Sequence, residues 1–313
     1  PFEIDKICYL ILGELLPSYR GIEFNLAEKM MIRVVAQTYG VQQGDVMSSY
    51  KKKGDLGDVV ENLKSQSSKF KTATQSLKLS VGEVYNRLID VAMESGGGSQ
   101  ERKVSGMAKL LSDLDPLSAK FVVRIPVGKL RLGFSDATIL DALSVMEKGD
   151  KSERKRIENA FNVVADIGKI AQDVRRGGIK SLSNLKVLPG IPIRPSLAER
   201  LQSIDKIMEK VGPKLGIEPK LDGFRIAIHV WSLAGARDKQ VALFSRNLEN
   251  TTLMFPEIVE AAKNLPVKSV ILDGEAIGYD PKTGKFAPFQ ETVQRKRKHG
   301  IPEAAKKLPL TAF

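Results

Sequence analysis

One change of rhythm constrains this chain more than any other feature. From Phe2 to about Lys186, apolar residues recur every three or four positions, as in Leu26 to Tyr39, Val81 to Glu94 and Glu153 to Asp166. That is the spacing of helices which bury one face. Past Val187-Leu-Pro-Gly-Ile-Pro-Ile-Arg-Pro195 the period drops to two: Phe224, Ile226, Ile228 and Val230 alternate with Arg225, Ala227, His229 and Trp231. Such alternation belongs to a half-buried strand. The three prolines of the intervening segment lack the N–H and the dihedral freedom of a helix interior, so it is an extended connector. The chain thus divides into an all-α domain, residues 1–190, and an α+β domain, residues 191–313.

Local signals refine the division. Ser135 before Asp136-Ala-Thr-Ile-Leu predicts an N-cap, and Ser152 predicts another. Gly96-Gly97-Gly98 and Gly177-Gly178 break the helical run. Beyond the connector we expect a helix over Leu197 to Val211 and another over Pro256 to Asn264. Strands are expected at Val241 to Arg246, Val270 to Tyr279 and Leu308 to Phe313, the last with nothing left in the chain to pair with. No fixed-period repeat or low-complexity tail is present.

Charge narrows the function classes. Lys plus Arg outnumber Asp plus Glu by 49 to 37, a formal net charge of +12, which favours a polyanionic partner, nucleic acid or an anionic membrane surface. Cys8 is the single cysteine, so neither an intrachain disulfide nor a cysteine-based metal cluster can form. Histidines at 229 and 299 alone leave no histidine-rich zinc site. The apolar run Ile7 to Leu16 is broken by Gly13 and Glu14 and reads as a core helix rather than a signal peptide. No stretch approaches the roughly 18 apolar residues that span a bilayer. The expectation is a cytosolic protein without a membrane role.

The chemistry concentrates in three segments. Glu218-Pro-Lys220-Leu-Asp222-Gly223-Phe-Arg225 stands where the first strand begins. Taken alone it is a solvated lysine beside an Asp-Gly turn. Ser245-Arg246-Asn247 then ends the next strand, and Leu272-Asp273-Gly-Glu275-Ala276 lies inside an otherwise apolar one. Alternation puts Asp273 and Glu275 on one face, where carboxylates are costly unless cations meet them. A lysine, two arginines and two carboxylates at strand ends suit a nucleotide phosphate and its metal ion.

In this order and spacing, the three segments resemble the first motifs of the ATP-dependent DNA ligases, whose lysine chemistry is shared by RNA ligases and messenger RNA capping enzymes. Gly54-Asp-Leu-Gly57, Phe121-Val-Val-Arg124-Ile-Pro-Val-Gly-Lys129-Leu-Arg131-Leu-Gly133 and Gly190-Ile-Pro-Ile-Arg-Pro-Ser-Leu-Ala198 are similar to signatures of the helical DNA-binding domain in archaeal and eukaryotic replicative ligases. The resemblance implies an all-α DNA-binding domain, then the first part of an ATP-grasp-like nucleotidyltransferase (adenylation) domain with antiparallel sheets. It implies that Lys220 attacks the α-phosphorus of ATP to give lysyl-AMP, its amine kept unprotonated by neighbouring cations and partial burial. Glu218 would recognise adenine. Arg225 and Arg246 would hold ribose and phosphates, and Glu275 would contact the ribose and help hold Mg²⁺. Asp222 and Asp273 would orient backbone or an arginine. AMP would then pass to the 5′-phosphate of nicked duplex DNA, and the 3′-hydroxyl would displace it.

For DNA contacts we expect Lys129 and Arg131, in a basic loop feeding the helix at Ser135, and Arg295 and Arg297 of the Arg295-Lys-Arg-Lys298 cluster, otherwise a solvated helix face. His229 is expected to be a strand residue rather than a catalyst, with Trp231 and Phe289 packing the hairpins or core. The family's later motifs, its adenine-stacking aromatic and its OB-fold domain find no match before Phe313, so the expectation is a C-terminally truncated ligase whose remainder acts in cis or in trans. Such a fragment would bind DNA but seal nicks weakly or not at all. Ser196 and Phe224 depart from the family pattern without removing a chemical group. A sliding clamp is a conceivable partner, and the cell compartment would be the cytoplasm of a prokaryote or a eukaryotic nucleus. The alternatives are an RNA ligase or capping-type nucleotidyltransferase, and a non-catalytic DNA-binding remnant.

Overall fold

The three-to-four rhythm of the first half becomes helices in the computed structural model, which describes residues 3–67, 78–196, 198–233 and 238–313. They are α1 (Ile4–Leu12), α2 (Glu28–Tyr39), α3 (Gln43–Lys53), α4 (Leu56–Gln66), α5 (Val81–Met93), α6 (Ser99–Asp113), α7 (Pro116–Arg124), α8 (Asp136–Lys148), α9 (Arg154–Val163) and α10 (Ile167–Gly177). Their apolar stripes meet in a core that includes Met31, Val35, Leu88, Met107, Leu111, Val123, Ile157 and Ile170, all buried. Side-chain caps satisfy the orphan N–H groups at several starts: Asp55 on α4, Ser80 with Glu83 on α5, Asp115 on α7 and Asp166 on α10.

Two local expectations need correction. The stripe from Glu153 to Asp166 is not one helix: α9 stops at Val163, and Asp166 opens α10 by accepting from the Lys169 N–H. Val164 and Ala165 in the link are buried, so the apolar pattern continues although the helix does not. Ser152 is not an N-cap either. Its N–H donates to Asp150 (2.9 Å), while Ser144 Oγ accepts from Glu153 N–H (3.1 Å) just before α9. Ser135, by contrast, precedes α8 as expected.

By contacts, the chain forms two units, residues 1–161 with 166–185, and residues 162–165 with 186–313. The second holds the strands β1 (Phe224–Ser232), β2 (Lys239–Ser245), β3 (Ser269–Gly278) and β4 (Leu310–Ala312), ordered β2-β1-β3-β4 and antiparallel throughout. With it go α11 (Ile204–Val211), α12 (Pro256–Lys263), α13 (Phe289–Thr292) and α14 (Ile301–Lys307). Ile226, Ile228, Val230 and Leu243 of one sheet face pack with Phe255, Ile258 and Ala262 at and within α12. The terminal strand does find a partner: Ala312 faces Ala276 and Leu310 faces Gly278. The helix expected from Leu197 begins only at Ile204, capped by Ser203; Leu197 itself, like Phe2, lies outside the described residues.

The proline-rich connector reaches the other sheet face. Gly190 N–H donates to His229 Nδ1 (3.1 Å), and a Cβ on Gly190 would touch the Trp231 ring at 3.5 Å. Two further main-chain bonds, Ala165 N–H to Pro192 O (3.2 Å) and Arg194 N–H to Asn162 O (2.9 Å), hold the same segment. Prolines supply no competing donors here, so the few N–H groups present fix its register. No helix among the described residues is long and apolar enough to cross a membrane.

Candidate active site

Antiparallel pairing gathers the three chemical segments at one end of the sheet. β1 starts where β2 ends, with Ile226 opposite Ser245, so Arg225 and Arg246 flank that register. Across the other side of β1, Arg225 stands directly opposite Glu275 in β3. Glu218 and Lys220 lie in the exposed, non-regular lead-in to β1. Lys220 is therefore exposed rather than partly buried, because the lead-in has no neighbouring element laid over it in this chain. The pleat puts Arg225, Asp273 and Glu275 on a common face.

The two carboxylates of β3 divide their duties. Asp273 accepts two bonds from Arg225, at 2.8 Å from Nε and 2.5 Å from Nη2. This bidentate fork fixes the guanidinium plane. Among the described residues, the side chains of Glu275, Lys220 and Arg246 have no partner at all. Charges left unpaired at a converging point are what a charged ligand needs. No group of three or more His, Cys, Asp or Glu suited to a metal occurs among the described residues. Glu275 alone can offer a hard cation an oxygen, and phosphate oxygens and water would complete its shell. That is the usual manner in which Mg²⁺ is held.

Neighbouring groups keep this end in shape. A Cβ on Gly223 would sit 2.3 Å from the Ala276 carbonyl oxygen, so only glycine lets the Asp-Gly turn press on β3. Asp222 accepts from the Phe289 N–H at the start of α13 (3.2 Å) and orients backbone, as expected. Ser245, to which sequence reading gave no role of its own, pins the turn carrying Arg246. Its carbonyl accepts from Leu248 N–H (2.8 Å), its Oγ accepts from Glu249 N–H (3.3 Å), and Leu248 takes φ 64°. A serine closing a strand before a polar turn was the available signal. Phe289 is 38% exposed, less packed than expected.

His229, fully buried, uses Nδ1 to accept from Gly190, while its Nε2 has no partner. Burial pushes its pKa down to about 4, so it stays neutral near pH 7. Phe244 meets it edge-on, 4.8 Å between centroids. It is a strand residue, as expected.

The helical signatures are largely architecture. Asp55 pairs with Arg124 (Nη2 to Oδ2 2.9 Å, Nε to Oδ1 3.1 Å), both nearly sealed from water. Burial alone would raise the Asp55 carboxyl, but Arg124 and the backbone donors of α4 outweigh it and hold its pKa below the usual range. A Cβ on Gly57 would fall 2.5 Å from Arg124 Nε and 2.6 Å from Lys120 O. The pattern Gly-Asp-Leu-Gly is thus the seat of an ion pair between α4 and α7.

Of the residues expected at DNA, Lys129 donates to Glu28 (3.1 Å) and to Tyr50 Oη (3.1 Å), and Arg131 to Gly54 O (2.7 Å). Both remain about half exposed. Arg297 is exposed, with Nε donating to Gln294 O (2.8 Å). Arg295 contradicts its expectation. It is 1% exposed and paired with Glu257 of α12, so it serves the interior and not a phosphate.

Comparison with known proteins follows the same two-part division. Residues 1–144 match the family model described as DNA ligase N terminus, and residues 195–313 match the ATP dependent DNA ligase domain. The chain is 44% identical over 312 residues to a probable DNA ligase of Dictyoglomus thermophilum, covering 99% of this chain and 51% of that protein. DNA ligase 2 of Thermofilum pendens is 41% identical over 318 residues, covering 100% and 52%, and the DNA ligase of Saccharolobus solfataricus 40% over 317, covering 99% and 52%. The chain spans about half the length of the curated relatives it matches. Two ligase domains in the same order, matched by named ligases along nearly all of it, leave one assignment: the chain belongs to the ATP-dependent DNA ligase family.

Proposed function

We propose that this chain contributes the lysine-adenylating and DNA-gripping parts of an enzyme that seals nicks in duplex DNA with ATP. The observation that carries the reading is the convergence of Lys220, Arg246 and Glu275, all without side-chain partners, beside the Asp273-fixed guanidinium of Arg225. Nζ of Lys220 attacks the α-phosphorus of ATP, an N–P bond forms, the bond to the β-phosphate oxygen breaks and pyrophosphate leaves. The amine proton passes to solvent, to which Lys220 is open. Arg225 and Arg246 hold phosphate oxygens through planar donor forks, and Glu218 is placed for the base. A divalent cation such as Mg²⁺, with Glu275 among its ligands, would neutralise charge on the phosphates. AMP then goes to the 5′-phosphate of the nick, and the 3′-hydroxyl displaces it.

In this reading residues 1–190 grip DNA through phosphates and residues 191–313 carry the adenylation chemistry, with Lys129, Arg131 and Arg297 as DNA contacts. The remaining motifs and an OB-fold domain come from further sequence in cis or in trans. A sliding clamp would be a partner of the assembled enzyme, which works where chromosomal DNA is, the cytoplasm in a prokaryote. The deciding experiment is intact-mass spectrometry after ATP and Mg²⁺, followed by peptide mapping. An added AMP on Lys220, lost in Lys220→Ala, is expected; an adduct that persists in Lys220→Ala removes the reading.

A further inference from the structure

Arg225, Arg246 and Asp273 line a pocket of about 130 Å³, and the connector lines it too, with Pro192, Ile193, Arg194 and Pro195. Arg194 thus brings a third guanidinium to a pocket where Asp273 is the one lining carboxylate. The connector is fixed by main-chain bonds on either side of this residue and at the residue itself: Gly190 N–H to His229 Nδ1, Ala165 N–H to Pro192 O, and Arg194 N–H to Asn162 O. His229, also in the lining, has a fully buried Nε2 with no partner. A neutral imidazole that accepts at Nδ1 carries its proton at Nε2, so that nitrogen is a donor. Three guanidiniums and a desolvated N–H donor against one carboxylate make a built anion site.

We propose that Arg194 is a phosphate-binding residue of the adenylation site, presented by the connector rather than by the sheet. The inference rests on the nucleotidyl-transfer reading and adds to it a residue of the interdomain segment. The phosphate belongs either to the nucleotide's triphosphate or to the 5′-phosphate of the nicked strand. Because Arg194 is positioned by its own N–H and its neighbours' carbonyls, replacing its side chain leaves the clips in place. A role in folding alone would move the thermal midpoint; a role in binding would not.

The test measures binding of tripolyphosphate, and of nicked duplexes with a 5′-phosphate or a 5′-hydroxyl, by calorimetry on the intact chain and its variants. Arg194→Ala should weaken the phosphate-bearing probe about tenfold with an unchanged thermal midpoint, and Arg194→Lys should recover part of it, since lysine keeps the charge but not the fork. Loss confined to tripolyphosphate assigns the nucleotide; loss confined to the 5′-phosphorylated duplex assigns the nick. Binding of both probes within twofold of the parent, or a parent that binds neither, overturns the proposal. Adenylation separates it from the wider reading. An adduct on Lys220 with parental ATP dependence and parental duplex affinity in Arg194→Ala sinks Arg194 alone. Arg194-dependent anion binding without any adduct sinks the lysine chemistry and keeps the site.

Discussion

In the helical unit, Asp55 and Arg124 meet at 2.9 Å with side chains 6% and 9% exposed, whereas at the sheet's open end Lys220, Arg246 and Glu275 meet no side chain at all. Both sets are charged, and both sit in segments that stand out in the sequence. The first pair has exchanged water for each other and for the N–H groups of α4; the second set keeps its charge available. A buried pair is costly to break because the survivor stays desolvated. An unpaired exposed group costs the fold little to remove, and its worth is realised only when a ligand arrives. Burial plus partnering is therefore the property that separates architecture from chemistry here, and each prediction below tests that separation.

The largest stability effect should come from Asp55→Ala, which strands Arg124 and removes the α4 cap; we expect a loss of about 3–5 kcal/mol in chemical denaturation. Lys220→Ala should change stability by less than about 0.5 kcal/mol while abolishing the AMP adduct. Equal stability losses for the two would erase the contrast. Next in size are the glycines at close approaches. Gly57→Ala meets Arg124 Nε and Lys120 O, and Gly223→Ala meets the Ala276 carbonyl; each should cost about 1–3 kcal/mol. Only the second should also slow adenylation, because the same turn carries Lys220.

A third test uses pH. The pKa of His229 falls from 6.5 to about 4 on folding, so the folded state favours the neutral ring. Its contribution is complete above the unfolded value and is lost as pH falls from 6.5 towards 4, when the unfolded chain takes up the proton first. The loss should be on the order of 2–3 kcal/mol across that window. His229→Phe should flatten the profile, and a parent curve already flat between pH 4 and 6.5 would contradict a desolvated histidine under the connector.

Much of this was legible from residues alone, for a reason that also explains the failures. Hydrophobic period reports which residues face a core, so the strand carrying Phe224 to Trp231 and the helix opened by Ser135 could be placed. It cannot report where a buried stretch stops being helical, and Val164 and Ala165 carried the pattern across the gap before Asp166. Pairing at distance leaves no local trace. The partner of the last strand lies in β3 some thirty residues earlier, and the partner of Arg295 is Glu257, 38 residues away. The order of Lys220, Arg246 and Glu275 was visible through motif resemblance, but their meeting at one sheet end required the antiparallel register. Nothing in the connector's sequence announced that Arg194 shares a pocket with them.

The smallest effect concerns the two arginines that looked alike in Arg295-Lys-Arg-Lys298. Arg297 is exposed and Arg295 is 1% exposed, so the same substitution should act through different physics. Arg297→Ala should leave the thermal midpoint alone, weaken binding to any duplex sequence a few-fold, and lower the slope of log affinity against log salt by about 1. Arg295→Ala should leave that slope unchanged and lower stability instead, because Glu257 would remain buried beside Leu310 N–H without its cation. If the slope changed with Arg295 and not with Arg297, burial would have misled us about which charge DNA meets, and the rule drawn from Asp55 and Lys220 would fail where the two residues stand closest together.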